Sequence, residues 1–338
     1  MPTTTVNHIP LVSVLLPVYN AESFLKEAIQ SVLNQTFIDF ELIILNDGST
    51  DKSKEIINEF KDPRIRYIEN ETNIRLIRTL NKGIELAQGK YIARMDADDV
   101  CMPDRFQKQV NFLEENQEYV MCGTWARIMN DRSELTGRVK RIDTNELVRA
   151  NMLFTTPFLH PTVMIRREAL QTEKYKEEAL HCEDLELWIR LANNEQYKFA
   201  NIPEYLLKYR WHSTNISVQH AEFQLENRGK YILPFVEHLS GELQREDLTL
   251  HFMSYQPKEQ LKLVSPELLK KAKKWLIKLS KKNQSKQLFR QNDLDALLLS
   301  RWWVICIRTK RLTQLTRIPF TWYNPEVVFK AIKLLLYK

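Results

Sequence analysis

The first hundred residues alternate between two hydrophobic rhythms. Residues 11–18 (LVSVLLPV) and 40–45 (ELIIL preceded by Phe40) are continuous apolar, β-branched runs, the pattern of strands buried on both faces of a parallel sheet. Shorter runs at 64–69 and 90–95 predict two further strands. Between them the period lengthens to that of a helix. Phe24, Leu25, Ala28, Ile29, Val32 and Leu33 share one helical face, and the segments after residue 52 and from 74 to 88 read the same way. Strand and helix alternating at this spacing imply βαβ units with right-handed crossovers, hence an α/β, doubly wound, mainly parallel sheet.

After Asp99 the rhythm changes. Residues 103–116 predict a helix with Pro103 in its first turn. Residues 119–130, a return near 137–142, 160–167 and 197–210 carry β character, with a helix opening at Glu183. From about residue 220 the pattern is helical throughout. The shift in fold and charge places a boundary there, giving an α/β region at 1–220 and a helical, basic C-terminal region at 221–338.

Composition narrows the class. With 43% hydrophobic and 27% charged residues the chain is neither collagen-like nor disordered. No run of about eighteen apolar residues exists, so no membrane-spanning helix is expected. The opening MPTTTVNHIP lacks the basic and apolar blocks of a secretory signal. Cys101, Cys122, Cys182 and Cys306 show no CxxC spacing and read as reduced thiols, not as a disulfide framework or zinc site, which suits the cytoplasm. Charge is uneven: residues 1–250 hold 30 Lys and Arg against 38 Asp and Glu, whereas residues 251–338 hold 19 against 5. The first part reads as an acidic enzyme, which argues against nucleic acid as a partner; the second suits an anionic surface.

In open α/β sheets ligands collect at the carboxyl ends of the strands. Three acidic motifs fall at such places: Asn46-Asp47-Gly48-Ser49-Thr50-Asp51, Asp96-Ala97-Asp98-Asp99 and Glu183-Asp184. A lone NDG is ordinary turn chemistry and a lone acidic pair ordinary dipole matching. DADD differs, because three carboxylates within four residues repel one another and call for a cation. Hard divalent ions, Mn²⁺ or Mg²⁺, bind one or two carboxylates together with substrate phosphate oxygens. There is no GxGxxG and no GxxxxGK[ST], and only seven glycines, which argues against dinucleotide-dehydrogenase and P-loop chemistry.

The ordered set Pro17-Val18-Tyr19-Asn20, NDGSTD, GKYIARMDADD (89–99), HPTVMIRR (160–167), Glu183-Asp184 and Tyr209-Arg210-Trp211-His212 resembles the family 2 glycosyltransferases of the GT-A fold, over residues 11–217. The resemblance implies roles position by position. Pro17, Tyr19 and Glu22 would border the nucleotide base and ribose, and Asp47 would hydrogen-bond the base, commonly uracil. Asp96 and Asp98 match the DxD element, the first toward ribose or metal, the second toward metal and diphosphate. Asp184 matches the catalytic base, and His212 would lie near the diphosphate or metal. The implied activity is metal-dependent, inverting transfer from a nucleotide-diphosphate sugar, UDP-linked, to a hydroxyl of a glycan or lipid-linked acceptor in surface polysaccharide assembly.

The chain also departs from the family pattern. Arg75 stands where the family often has glycine, and Leu80-Asn81 where Arg-Asn is common. Arg75 and Arg78 either reach the donor phosphates or lie on a solvated helix face. His160 is either an acceptor-side residue or a structural histidine. Glu183 and Trp125 are further acceptor-side candidates, Trp125 either stacking on sugar or filling core.

Residues 258–290 carry eleven Lys and Arg, interrupted by Trp275, Leu276 and Leu279; Arg301-Trp302-Trp303 and the terminal FKAIKLLLYK follow. Basic residues with apolar anchors suit an interfacial helix at the inner face of the cytoplasmic membrane. A homo-oligomer interface is the other reading. Two functional rivals are a sugar nucleotidyltransferase, expected to carry a Gly-rich basic loop where this chain has PVYNAES, and a non-catalytic nucleotide-sugar-binding scaffold. A glycoside hydrolase leaves the NDGSTD and DADD pairing without a reason.

Overall fold

The computed structural model describes residues 8–212, 215, 221–256 and 258–337; the first seven residues, where a signal would begin, and Lys338 lie outside that set. The chain forms two compact units, residues 1–141 with 158–227, and residues 142–157 with 228–338.

In the first unit the elements run β1 (Val12–Val18), α1 (Leu25–Leu33), β2 (Phe40–Asn46), α2 (Ser53–Glu59), β3 (Ile65–Glu69), α3 (Leu76–Leu86) and β4 (Tyr91–Arg94). They continue with β5 (Val100–Cys101), α4 (Arg105–Glu115), β6 (Tyr119–Met129) and β7 (Leu135–Val139). After α5 (Asn145–Asn151), which belongs to the second unit, come β8 (Met164–Arg166), α6 (Arg167–Thr172), α7 (Glu183–Ala192) and β9 (Lys198–Arg210). One nine-stranded sheet has the order β3-β2-β1-β4-β8-β6-β9-β5, with β7 on β6. β1 pairs in parallel with β2 and β4, β2 with β3, and β6 with β9, while β5, β7 and β8 run antiparallel to their neighbours.

The order reverses at β1, which is where a doubly wound sheet opens a crevice at the strands' carboxyl ends. The apolar runs behave as their pattern implies: Val12, Val14, Leu16 and Val18 on β1 and Leu42 and Ile44 on β2 lie in one buried cluster with Leu25, Ala28, Ile29 and Val32 of α1. Pro17 is tolerated inside β1 because the ladder to β4 ends at Leu15↔Arg94, so its missing N–H interrupts nothing on that side.

The β character expected within 160–167 is confined to three residues. His160–Thr162 is a 3₁₀ turn, Met164–Arg166 a short strand, and α6 starts at Arg167. Pro161 in the turn has no N–H to give to a ladder, which delays the strand.

The second unit contains α5, the part of α8 (Ala221–Ser240) from residue 228, α9 (Arg245–His251), α10 (Lys258–Lys262), α11 (Pro266–Lys286), α12 (Gln291–Arg308) and α13 (Pro325–Leu335). α12 is buried along most of its length, from Leu294 to Cys306, and packs against α5, α11 and α13. A helix apolar nearly all round belongs at the centre of a bundle. Sharp caps set its partners: Ser265 Oγ accepts the Leu268 N–H at 3.1 Å and Pro266 occupies the first turn of α11.

The proposed anchors on α11 are corrected here. Trp275, Leu276 and Leu279 are at most 3% exposed and belong to the core, as does Trp302. Trp275 Nε1–H donates to His251 Nδ1 at 3.2 Å, and His251 Nε2 donates to the Leu153 carbonyl at 2.6 Å. Burial pushes the His251 imidazole down to about 4, so it stays neutral in this network. What α11 offers outward is polar and mostly lysine, without an apolar face.

Candidate active site

The turn after β2 is built by its own side chains. Asn46 Oδ1 accepts the Ser49 N–H at 3.1 Å, closing the turn around Gly48. Gly48 sits at φ +68°, and a Cβ there would lie 2.8 Å from the Asn73 nitrogen and the Thr72 carbonyl carbon. Only glycine permits both the conformation and the approach. Asp47 is 4% exposed, and its Oδ1 accepts from Asn70 Nδ2 at 2.8 Å and from the Ile74 N–H at 2.9 Å. One carboxylate oxygen therefore holds the loop that follows β3.

The segment after β1 is tied to the same turn. Asn20, at φ +48°, donates its N–H to Ser49 Oγ at 3.0 Å and accepts the Thr50 N–H at 2.8 Å. The Glu22 N–H donates to Asp51 Oδ2, and Glu22 Oε2 accepts the Lys52 N–H, both at 2.9 Å. Glu22 thus braces the two loops, while Tyr19 between them is 51% exposed.

At the end of β4, Asp96, Asp98 and Asp99 bring one oxygen each within 4.8 Å of the others. Asp98 Oδ2 faces His212 Nε2 at 2.9 Å, and the His212 ring stacks on Phe24 with centroids 5.5 Å apart. Asp99, the third carboxylate of DADD and given no role of its own by the resemblance, is fully buried: its Oδ1 accepts the Arg210 N–H at 2.8 Å, and its Oδ2 has no hydrogen-bond partner. Burial, then the charges of Asp98 and Asp96, hold the Asp99 carboxyl well above the ordinary carboxylate range; burial also raises Asp96, against the pull of Arg94. An acidic cluster with an unpartnered buried oxygen fits a hard divalent cation, whose charge would reverse that electrostatic penalty.

Two buried arginines shape this loop, and neither was singled out in the sequence. Arg210 donates Nε to the Asp98 carbonyl at 2.8 Å and Nη2 to Glu27 at 2.6 Å, with its guanidinium 4.2 Å from the Phe24 ring. Arg94, 6% exposed, forms an ion pair with Asp96. Its charge also reaches the third motif, since it acts on His160, Tyr175 and Glu183.

Glu183 and Asp184 open α7, whose first turn favours carboxylates. Asp184 Oδ1 accepts the Leu185 N–H at 2.7 Å. Glu183 is 8% exposed, with Oε1 3.8 Å from His160 Nδ1, while His160 Nε2 meets the Tyr175 hydroxyl at 2.8 Å. Burial, then the adjacent Asp184 charge, pushes Glu183 up to about 7. Burial, reinforced by Arg94, holds His160 well below its usual range. The Asp96 charge also raises Glu183, as the least of its causes.

The two candidate arginines differ. Arg75 precedes α3 at φ +72°, ψ 159°, a region L-residues rarely adopt, with its N–H held by Asn73 Oδ1 at 2.8 Å. The structure thus places this residue in the backbone geometry that explains why glycine is common there. Arg75 and Arg78 line a cleft of about 430 Å³ together with Asn73, Ile77, Glu177 and Leu180. Arg78 is engaged across it by Glu177, Nη2 to Oε2 at 2.7 Å. Trp125 is held elsewhere on the sheet: its Nε1–H donates to the Arg141 carbonyl at 2.9 Å, and its ring packs on Tyr205 of β9. Those contacts favour the packing role over sugar stacking.

Known proteins are similar to this chain. The model of the glycosyl transferase family 2 matches residues 13–173. An uncharacterized glycosyltransferase, MJ1057, of Methanocaldococcus jannaschii is 37% identical over 60% of this chain and 71% of its own length. The O-antigen biosynthesis glycosyltransferase WbnJ of Escherichia coli is 31% identical over 60% and 80% of the two chains. Among solved structures, S. aureus TarS in complex with UDP-GlcNAc superposes with a TM-score of 0.56 at 19% identity, covering 90% of this chain and 89% of that one. A mannosyltransferase from Pyrobaculum calidifontis, in complex with GDP-Man and Mn²⁺, gives 0.53 at 15%, covering 98% and 89%. The fold is the GT-A arrangement expected of the sequence, and the chain belongs to glycosyl transferase family 2 and is a glycosyltransferase.

Proposed function

We propose that this enzyme transfers a sugar, with inversion, from a UDP-sugar to a hydroxyl of a glycan or lipid-linked acceptor in surface polysaccharide assembly, working in the cytoplasm at the inner face of the membrane. The observation that carries the reading is the carboxylate cluster at the end of β4, three side chains within 4.8 Å with a buried oxygen left unpartnered. The WbnJ relative, which acts in O-antigen biosynthesis, supports the acceptor class.

Asp96, Asp98 and Asp99, with His212 beside them, would hold the divalent cation, Mn²⁺ or Mg²⁺; the structural relative solved with Mn²⁺ supports that choice. When bound, such an ion neutralises charge on a departing diphosphate. Asp47 would read the base, its position set by Asn70 and the Ile74 N–H, with Pro17 and Tyr19 bordering it and Glu22 keeping those loops together. Arg75 would reach the donor phosphates from the cleft wall, with Arg78 held beside it by Glu177.

Asp184 would act as general base. As the acceptor oxygen attacks the anomeric carbon from the face opposite the diphosphate, the hydroxyl proton passes to the Asp184 carboxylate, the bond from C1 to the phosphate oxygen breaks, and configuration inverts. Glu183 differs from its neighbour: with its carboxyl raised to about 7 it keeps a proton at pH values where an ordinary glutamate has lost it. It would position the acceptor side with His160, which is kept neutral.

The test is a screen of UDP-, GDP- and dTDP-sugars, with Mn²⁺, Mg²⁺ or EDTA, read by thermal shift and by nucleotide release. A ligand present at a hundred times its Kd adds about 2.7 kcal/mol, so a real donor is readily seen. UDP-sugars are expected to raise the midpoint in metal and not in EDTA, with slow UDP release. A response to GDP-sugars alone would move the base assignment, stabilisation without any nucleotide release would leave only a nucleotide-sugar-binding scaffold, and silence toward every nucleotide would remove the donor reading.

A further inference from the structure

We infer that the C-terminal segment from Ile307 to Leu336 is a bilayer-docking face for anionic lipid, in place of the lysine-rich α11. The inference rests on the reading of a membrane-associated enzyme given above and names the surface responsible. Fifteen large hydrophobic residues are exposed among those described, and seven of them fall in these thirty residues: Ile307, Leu312, Phe320, Tyr323, Phe329, Ile332 and Leu336. Phe320 is 91% exposed and Phe329 71%. Isolated exposed apolar groups are normal, but a concentration of this kind marks an interaction surface.

The exposure is built into the fold. Trp322 is fully buried, which pins the 3₁₀ turn Phe320–Tyr323 while its two aromatic ends face outward. The Tyr323 hydroxyl donates to the Thr316 carbonyl, fixing that loop to its own start. In α13, Val327, Ala331 and Leu334 fill the core on one face. Phe329, Ile332 and Leu336, spaced by three and four residues, make a second apolar face with no core beneath it. Asn324 and Pro325 cap and start this helix, so the face is presented on a regular element.

Charge selects the occupant. Residues 307–338 contain seven Lys and Arg against a single Glu, with Lys330 paired to Asp293 and Glu326 and Lys333 to Asp143. Lys310 and Arg317 are exposed in the same segment as Leu312 and Phe320, and Arg308 and Arg311 donate to the backbone carbonyls of Ser254 and Val264. Aromatic and aliphatic groups interleaved with cations match the boundary of headgroup and acyl chain in an anionic leaflet. α11 has the cations without the apolar face, because its Leu269, Trp275, Leu276 and Leu279 are buried. No described helix is long and apolar enough to cross a membrane, so this contact lies on the surface.

The experiment compares sedimentation of the full-length protein with vesicles of pure phosphatidylcholine and of phosphatidylcholine containing a third phosphatidylglycerol. Phe320→Ser and the double variant Phe329→Glu/Ile332→Glu are set against Lys270→Gln/Lys274→Gln on α11. Wild type is expected to partition at least tenfold more strongly to the anionic vesicles, and both patch variants to lose at least tenfold, with the α11 variant losing less than threefold. Should the helix variant misfold, as seen by circular dichroism, Phe320→Ser alone decides. No binding by wild type, or equal binding by the patch variants, overturns the proposal. So does a wild-type dimer in light scattering that the patch variants dissociate without any vesicle binding, which assigns the face to a second copy of the chain. UDP-sugar turnover is measured on the same samples without lipid; its absence would count against the enzymatic reading and not against the docking face.

Discussion

The carboxylates at the sheet's carboxyl edge and the lysines of α11 are both dense charge clusters, yet the structure treats them in opposite ways. Asp99 is fully buried and Glu183 nearly so, and burial raises both carboxyls. Lys270, Lys271, Lys274, Lys281, Lys282 and Lys286 all stand in solvent. Taking like charges out of water is unfavourable and persists where the site uses it, whereas a lysine on a helix surface is energetically almost neutral. A charge run is therefore informative about chemistry in proportion to what its placement costs, and the same formal density in the two units carries different weight.

The sharpest way to break this contrast is at Asp184. Asp184→Asn should lower turnover roughly 10²–10⁴-fold while leaving the affinity for the metal-bound donor within threefold, measured by single-turnover kinetics and calorimetry. Unchanged turnover would remove Asp184 from the role of base.

Next comes the stability signature of the buried carboxyl. An unfolded glutamate titrates near 4.5, whereas Glu183 titrates near 7 in the fold. Between those values the native state keeps a proton the unfolded state releases, so stability is greatest below about pH 4.5 on this account and falls as pH rises toward 7. Glu183→Gln should flatten that slope, worth on the order of 3 kcal/mol, in urea unfolding across pH 5–8. A variant that retains the wild-type slope would show that Glu183 is not the group responsible.

The smallest effect concerns Arg75, an exposed base whose placement is costly in a different currency, backbone conformation. Arg75→Gly should raise stability by about 1–2 kcal/mol through relief of the positive φ, yet weaken UDP-sugar binding several-fold. A gain in stability with unaltered binding would leave the arginine no part in phosphate recognition.

Much of the first unit was legible in the residues. The continuous apolar runs of β1 and β2 can only be buried strands, and their period against that of α1 sets the βαβ order. NDGSTD and DADD stood out because turn chemistry does not need so many carboxylates. Arg94, Arg210 and Tyr175 did not stand out, and within DADD nothing marked Asp99 as the buried member, since burial is what distinguishes them and burial is a property of the assembled sheet. The helix α5 also escaped notice: seven residues with modest periodicity gain their stability from packing in the second unit.

The C-terminal region shows the same division most plainly. Its amino-acid order alone determined that it would be helical, basic and rich in leucine and tryptophan. Which of those apolar groups would be core and which would face outward was decided only when α12 took the centre of the bundle. Trp275 and Trp302 then had neighbours to bury them, and Phe320 and Phe329 had none. Local periodicity specifies that a helix has an apolar face, but a helix with two of them can satisfy only one against a given partner, and the choice is made by the packing of the whole unit.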